Sequence, residues 1–122
     1  MSIGKLQQIT NYNSLVGATL AAMRRAVGLD QLKIAEAVGI SQSAWSRIEN
    51  GGTQITVAQL AAAARMLGNT PSGILKRAEC LATYLTRRGV RVVDRAPEAP
   101  RGSDIALGTS ALTELASQLF KG

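Results

Sequence analysis

Glycines at positions 28, 39, 51 and 68 cut the chain after Asn13 into four short lengths, each with apolar residues at helical spacing. Leu15, Val16, Leu20, Met23 and Val27 fill the first, and Leu32, Ile34, Ala35 and Val38 the second. The third carries Trp45 and Ile48, and the fourth Leu60, Ala61, Ala64 and Leu67. Such spacing gathers the apolar side chains on one stripe of a helix, which must be buried against a neighbour. The starts are marked as clearly as the stops. Asp30 and Ser41 can accept the free amide hydrogens of the turns that follow them, and Thr56-Val57-Ala58-Gln59 is a capping box. Thr70-Pro71 opens a fifth helix, with Thr as cap and Pro at the first helical position, where no N–H is needed. It should run through Leu75, Ala78, Leu81 and Leu85 to about Arg88.

The composition agrees with a mainly α fold. Among 122 residues 46% are apolar, enough for a packed core, while Phe, Tyr and Trp together make up only 3%. Strands favour aromatic and β-branched side chains, and this chain is poor in the first. The formal charge of +6 suits a polyanionic partner. With no histidine and a single cysteine, the chain is poorly equipped for a metal site or for nucleophile–base catalysis. No phosphate-cradling glycine array is present. We therefore expect neither cofactor nor metal, and not an enzyme. Cys80, beside Leu81 in a helical pattern, reads as a buried thiol. No secretory leader or membrane-length apolar run is visible, so a cytoplasmic protein without membrane contact is expected.

At both ends the pattern weakens. Residues 1–12 read as a frayed arm or an extra helical turn. Residues 90–94 form a β-branched run that reads as a strand, and 95–104 (RAPEAPRGSD) as a Pro/Gly-rich linker. A last helix is expected over 109–120, with Ser110 offering a cap and Leu112, Leu115, Ala116 and Leu119 on one face. The expected division is a domain over 1–75 followed by a segment over 76–122.

In the middle, the second and third helices meet through Val38-Gly39-Ile40-Ser41. Two helices joined by so short a turn, with Gly supplying its backbone freedom, form a helix-turn-helix. Burial of Ile34, Ala35, Val38, Ile40, Trp45 and Ile48 leaves Gln42, Ser43, Ser46 and Arg47 on the outward face. Trp45 could be taken for a base-stacking aromatic, but its spacing with Ile48 assigns it to the core.

These residues resemble the Cro/C1-type (XRE-like) helix-turn-helix regulators of phages and bacteria. The resemblance covers roughly residues 13–75 and rests on Val16-Gly17, Leu20, Arg24, Gly28-Leu29, Gln31, Ala35, Val38-Gly39-Ile40-Ser41, Trp45 through Gly51, and Leu60 through Gly68. Trp45 is larger than the aliphatic residue usual at that place, and Asp30 replaces the common Ser or Asn. The resemblance implies a five-helix, lambda-repressor-like domain, followed here by the short strand and the last helix. It also implies that the helix over 41–49 enters the major groove of double-stranded DNA. Gln42 can pair with adenine and Arg47 with guanine, and Ser43 can meet either kind of base edge. Gln31, Ser41, Ser46, Asn50 and the backbone at Gly51 are the expected phosphate contacts. Plainer readings compete: Ser41 as a cap, Gln42 as a solvated amide, Arg47 as an ordinary surface charge. Arg24 and Glu49 match positions that form a partly buried ion pair in some members of the family.

One reading helix covers half a site, so a two-fold dimer on a pseudo-palindromic operator is expected. The strand over 90–94 has no evident partner in its own chain, and an open strand edge invites another copy. Val90, Val92, Val93, Leu112, Leu115 and Leu119 are the expected dimer contacts, and pairing of dimers into higher oligomers stays open. The resulting reading is a sequence-specific transcriptional regulator, most simply a repressor. The alternative is an antitoxin-type autoregulator whose C-terminal segment binds a protein partner.

Overall fold

The computed structural model describes residues 7–94 and 104–120. In chain order these form β1 (Gln7–Asn11), α1 (Tyr12–Ala26), α2 (Gln31–Val38), α3 (Gln42–Glu49), α4 (Val57–Met66), α5 (Pro71–Arg87), β2 (Arg91–Val93), β3 (Asp104–Ala106) and α6 (Thr109–Leu119). The fold is mainly helical, as expected, and the first five helices start where their caps stand. Asp30 accepts the amide hydrogen of Lys33 at 2.8 Å, Ser41 that of Ala44 at 3.1 Å, and Thr70 that of Gly73 at 3.0 Å. At α4 the capping box is complete, with Thr56 and Gln59 each accepting from the other's backbone N–H. Asn11 does the same service for α1 through the amide of Ser14.

α1 is the central rod. Every residue from Leu15 to Arg24 is buried, because α3, α5 and α6 all pack around it. One hydrophobic cluster joins Leu15 and Leu20 of α1 with Trp45, Ile74, Leu81, Leu112 and Ala116. The expected division at residue 75 falls inside α5, and α6 closes over α1.

The ends of the chain depart from expectation. Residues 7–11 are neither a frayed arm nor a helical turn but the middle strand of a three-stranded parallel sheet, ordered β2-β1-β3. Ile9 stands opposite Arg91 on one side and Ala106 on the other. The strand after α5 is therefore paired within its own chain: β1 fills one of its edges, and β2 stands at the outside of the sheet. Asp104, placed in the linker, opens β3; the rest of that linker lies outside the described residues. α6 is preceded by Gly108 with no side-chain cap, so Ser110 lies inside the helix rather than capping it. Val90 and Leu112, assigned to a dimer contact, are only 5% and 1% exposed and belong to this chain's core. Cys80 is exposed, not buried, because α5 buries the stripe Ile74, Ala78, Leu81, Ala82 and Leu85, and Cys80 lies off it.

Candidate nucleic-acid interface

The turn between α2 and α3 is built from backbone chemistry. Gly39 adopts φ +85°, a left-handed conformation that costs other residues strain. That bend lets the amides of Gly39 and Ile40 both return to the carbonyl of Ala35, at 2.8 and 3.0 Å, which closes α2. Ser41 then starts α3 at once. Ala35 is completely buried, and its small side chain lets the two helices cross closely.

The inner side of α3 is anchored by Trp45, Ile48 and Glu49, at 0%, 3% and 3% exposure. Each oxygen of the Glu49 carboxylate accepts two hydrogen bonds. Oε2 takes the Nε–H of Arg24 and the indole Nε1–H of Trp45, both at 2.6 Å. Oε1 takes the Nη2–H of Arg24 at 3.0 Å and the Nε2–H of Gln31 at 2.8 Å. Arg24 also donates from Nη1 to the carbonyl of Leu29 at 2.9 Å. A charge this deeply buried is tolerable only when its lone pairs are met, and here all are. The ion pair named from the sequence is thus the centre of a cluster tying α1, α2 and α3 together.

Two of its members had been read otherwise. Trp45 was a core filler by its spacing; it is also a donor, and its position four residues before Glu49 on one helix was the available signal. Gln31, expected at a phosphate, donates one amide hydrogen inward to Glu49, and its second meets no acceptor among the described residues.

α1 crosses the C-terminal end of α3 at very short range. A Cβ at Gly17 would stand 2.3 Å from the carbonyl oxygen of Ile48 and 2.7 Å from that of Glu49, so only glycine permits the crossing. Gly51, at φ +75°, lies against Ser14. Its amide is donated to Ile48 and that of Gly52 to Arg47, at 3.0 and 2.9 Å. These hydrogens close α3 and are not available to clamp a phosphate. The carbonyl end of a helix also repels an anion. Asn50, exposed, is left as the candidate there.

The outer side of α3 carries the remaining candidates. Gln42, Ser43 and Arg47 are exposed and Ser46 is half-buried. Ser41 and Ser43 share a hydroxyl contact of 3.2 Å while Ser41 caps the helix. Among the described residues, the side chains of Gln42, Ser46, Arg47 and Asn50 make no hydrogen bond or ion pair. A rigid inner face and an outer row of uncommitted amide, hydroxyl and guanidinium groups is an arrangement suited to hydrogen-bonding an external polar surface. Among the described residues no helix is long and apolar enough to cross a membrane.

Comparison with known proteins agrees with this geometry. The family model of the helix-turn-helix domain matches residues 15–73. The fold is similar to a crystal structure of the clp gene regulator ClgR from Corynebacterium glutamicum, at 23% identity and TM-score 0.61, covering 63% of this chain and 82% of that one. A second crystal structure of ClgR from the same organism is 26% identical with TM-score 0.54, covering 57% of this chain and 90% of that one. Curated protein sequences gave no match.

Proposed function

From the premise that residues 15–73 are a helix-turn-helix domain, we propose that this chain is a sequence-specific DNA-binding transcriptional regulator of the Cro/C1 type, acting as a repressor. α3 lies in the major groove with Gln42 and Arg47 against base edges. Ser43 contributes a less selective contact. Ser41, Ser46, Asn50 and the outward amide hydrogen of Gln31 hold phosphates. Gln31 stands at the N-terminus of α2, where the helix dipole favours an anion.

The observation that carries the reading is the division of α3 into two faces. Its inner side is clamped through Glu49, while Gln42 and Arg47 are exposed and have no partner among the described residues. The likeness to a protein described as a clp gene regulator supports a regulatory role. The net charge of +6 supports attraction to the duplex, which salt would weaken.

Binding is by a homodimer. Val90 and Leu112 are committed to the core, so the contact draws on half-buried Val92, Val93 and Leu115 and on Leu119, which is 37% exposed. Incorporation of α6 into the core favours this stand-alone regulator over an antitoxin whose tail is reserved for a partner protein.

Selection of bound duplexes from a randomised pool tests the proposal. A single pseudo-palindromic site should emerge, bound with steep salt dependence. Enrichment of no sequence at moderate salt would overturn it.

A further inference from the structure

A groove of about 720 Å³ opens on another part of the molecule, where α1 ends, α4 turns into α5, and α6 ends. Its volume lies within the range of small-molecule sites. Met23, Val27, Leu67 and Phe120 supply apolar walls, and Arg25 and Arg77 stand among them. Among the described residues no Asp or Glu lines it. Among the described residues neither arginine is paired with a carboxylate, the one ion pair being Arg24 with Glu49. Arg77 is held over the ring of Phe120, 5.6 Å from its centroid, which fixes a positive charge against an apolar wall. Val27 remains 58% exposed there although it is a large aliphatic side chain.

We propose that this groove binds an amphipathic organic anion, with an apolar body against Val27, Leu67 and Phe120 and its acidic group between Arg25 and Arg77. The charge pattern selects that occupant. Two guanidinium groups with no counter-carboxylate among the described residues favour an anionic head, and the apolar walls favour a hydrocarbon body over a bare inorganic ion. Asn69 and Ser117, also in the lining, offer polar contacts for the head. The inference is independent of DNA binding, and its test uses no DNA.

Fluorescence titration of the full chain with anilinonaphthalene sulfonate should show saturable binding at one site per chain. Decanoate should displace the probe, and decanol at equal concentration should not. Arg25→Gln, at an exposed position, and Arg77→Gln should each weaken probe binding about tenfold, the scale of one lost charge-assisted hydrogen bond. Unchanged urea midpoints in both variants would show that the fold is intact. Equal displacement by decanol, unaltered binding to Arg25→Gln, or no saturable binding at all would each overturn the proposal.

Discussion

Replacing Glu49 tests the mechanical premise of the reading helix. In Glu49→Ala four donors lose their acceptor at once: Arg24 Nε and Nη2, the Trp45 indole and the Gln31 amide. Arg24 is 8% exposed and keeps only its bond to the Leu29 carbonyl, so a nearly bare guanidinium remains inside. Removing one partner of a buried ion pair costs roughly 3–5 kcal/mol. Total stability for a domain is about 5–15 kcal/mol, so the variant should lose roughly a fifth of it or more. Urea unfolding followed by the single Trp reads this directly. With a denaturant slope of about 2 kcal/mol/M, the midpoint should fall by about 2 M. The double replacement Arg24→Leu with Glu49→Leu should recover most of the loss, because it removes both charges together. It should not recover operator binding in full, since nothing then orients Gln31 or ties the indole of Trp45 to the end of α3. A Glu49→Ala loss below about 1 kcal/mol would refute the reasoning, for it would mean that Arg24 finds water or another partner at no cost.

Further outcomes follow from other contacts. Arg47→Ala should leave the stability within about 0.5 kcal/mol of the parent while discrimination at one operator base falls by about 1–3 kcal/mol, measured by competition between site variants. Gly17→Ala should destabilise by at least the roughly 1–3 kcal/mol of an overpacked core, since the new Cβ meets backbone carbonyls that cannot rotate away; calorimetry reads the loss. Leu112→Ala should cost about 2–5 kcal/mol at every protein concentration, because the side chain is packed in its own chain; a loss seen only at low concentration would return it to an interface. Leu119→Glu should shift sedimentation toward monomer at micromolar concentration with the helical circular dichroism unchanged, and an unaltered dimer would remove Leu119 from the contact.

The outer arrangement of α3 was legible because it follows from local rules. Trp45 and Ile48, three residues apart, face inward, and the same period turns Ser43 and Arg47 outward, while Gln42 is exposed as the first residue of α3. Ser41 announces the helix and Gly51 ends it, each by satisfying or freeing backbone groups within one turn. Non-local choices were not legible in the same way. β1 has one large aliphatic residue, Ile9, and becomes a strand because β2 and β3, far along the chain, bond to both of its sides. The role of Leu112 was misplaced for a related reason. An amphipathic stripe says that a face is buried but not against what, and here α1 of the same chain covers it. The expected phosphate contact at the Gly51 amide fails because its partner is the Ile48 carbonyl within α3, one turn away along the chain.

By itself, the order of residues determined where four of the first five helices begin, where all five stop, and which side of each is apolar. Those outcomes depend on caps, glycines and a 3.6-residue period, all acting over a few neighbours. Only the folded chain decided that the Arg24–Glu49 pair also gathers Gln31 and Trp45, and that the first strand joins the last two. A buried carboxylate must find its donors wherever packing brings them, and a strand's backbone must find a partner in space rather than in sequence.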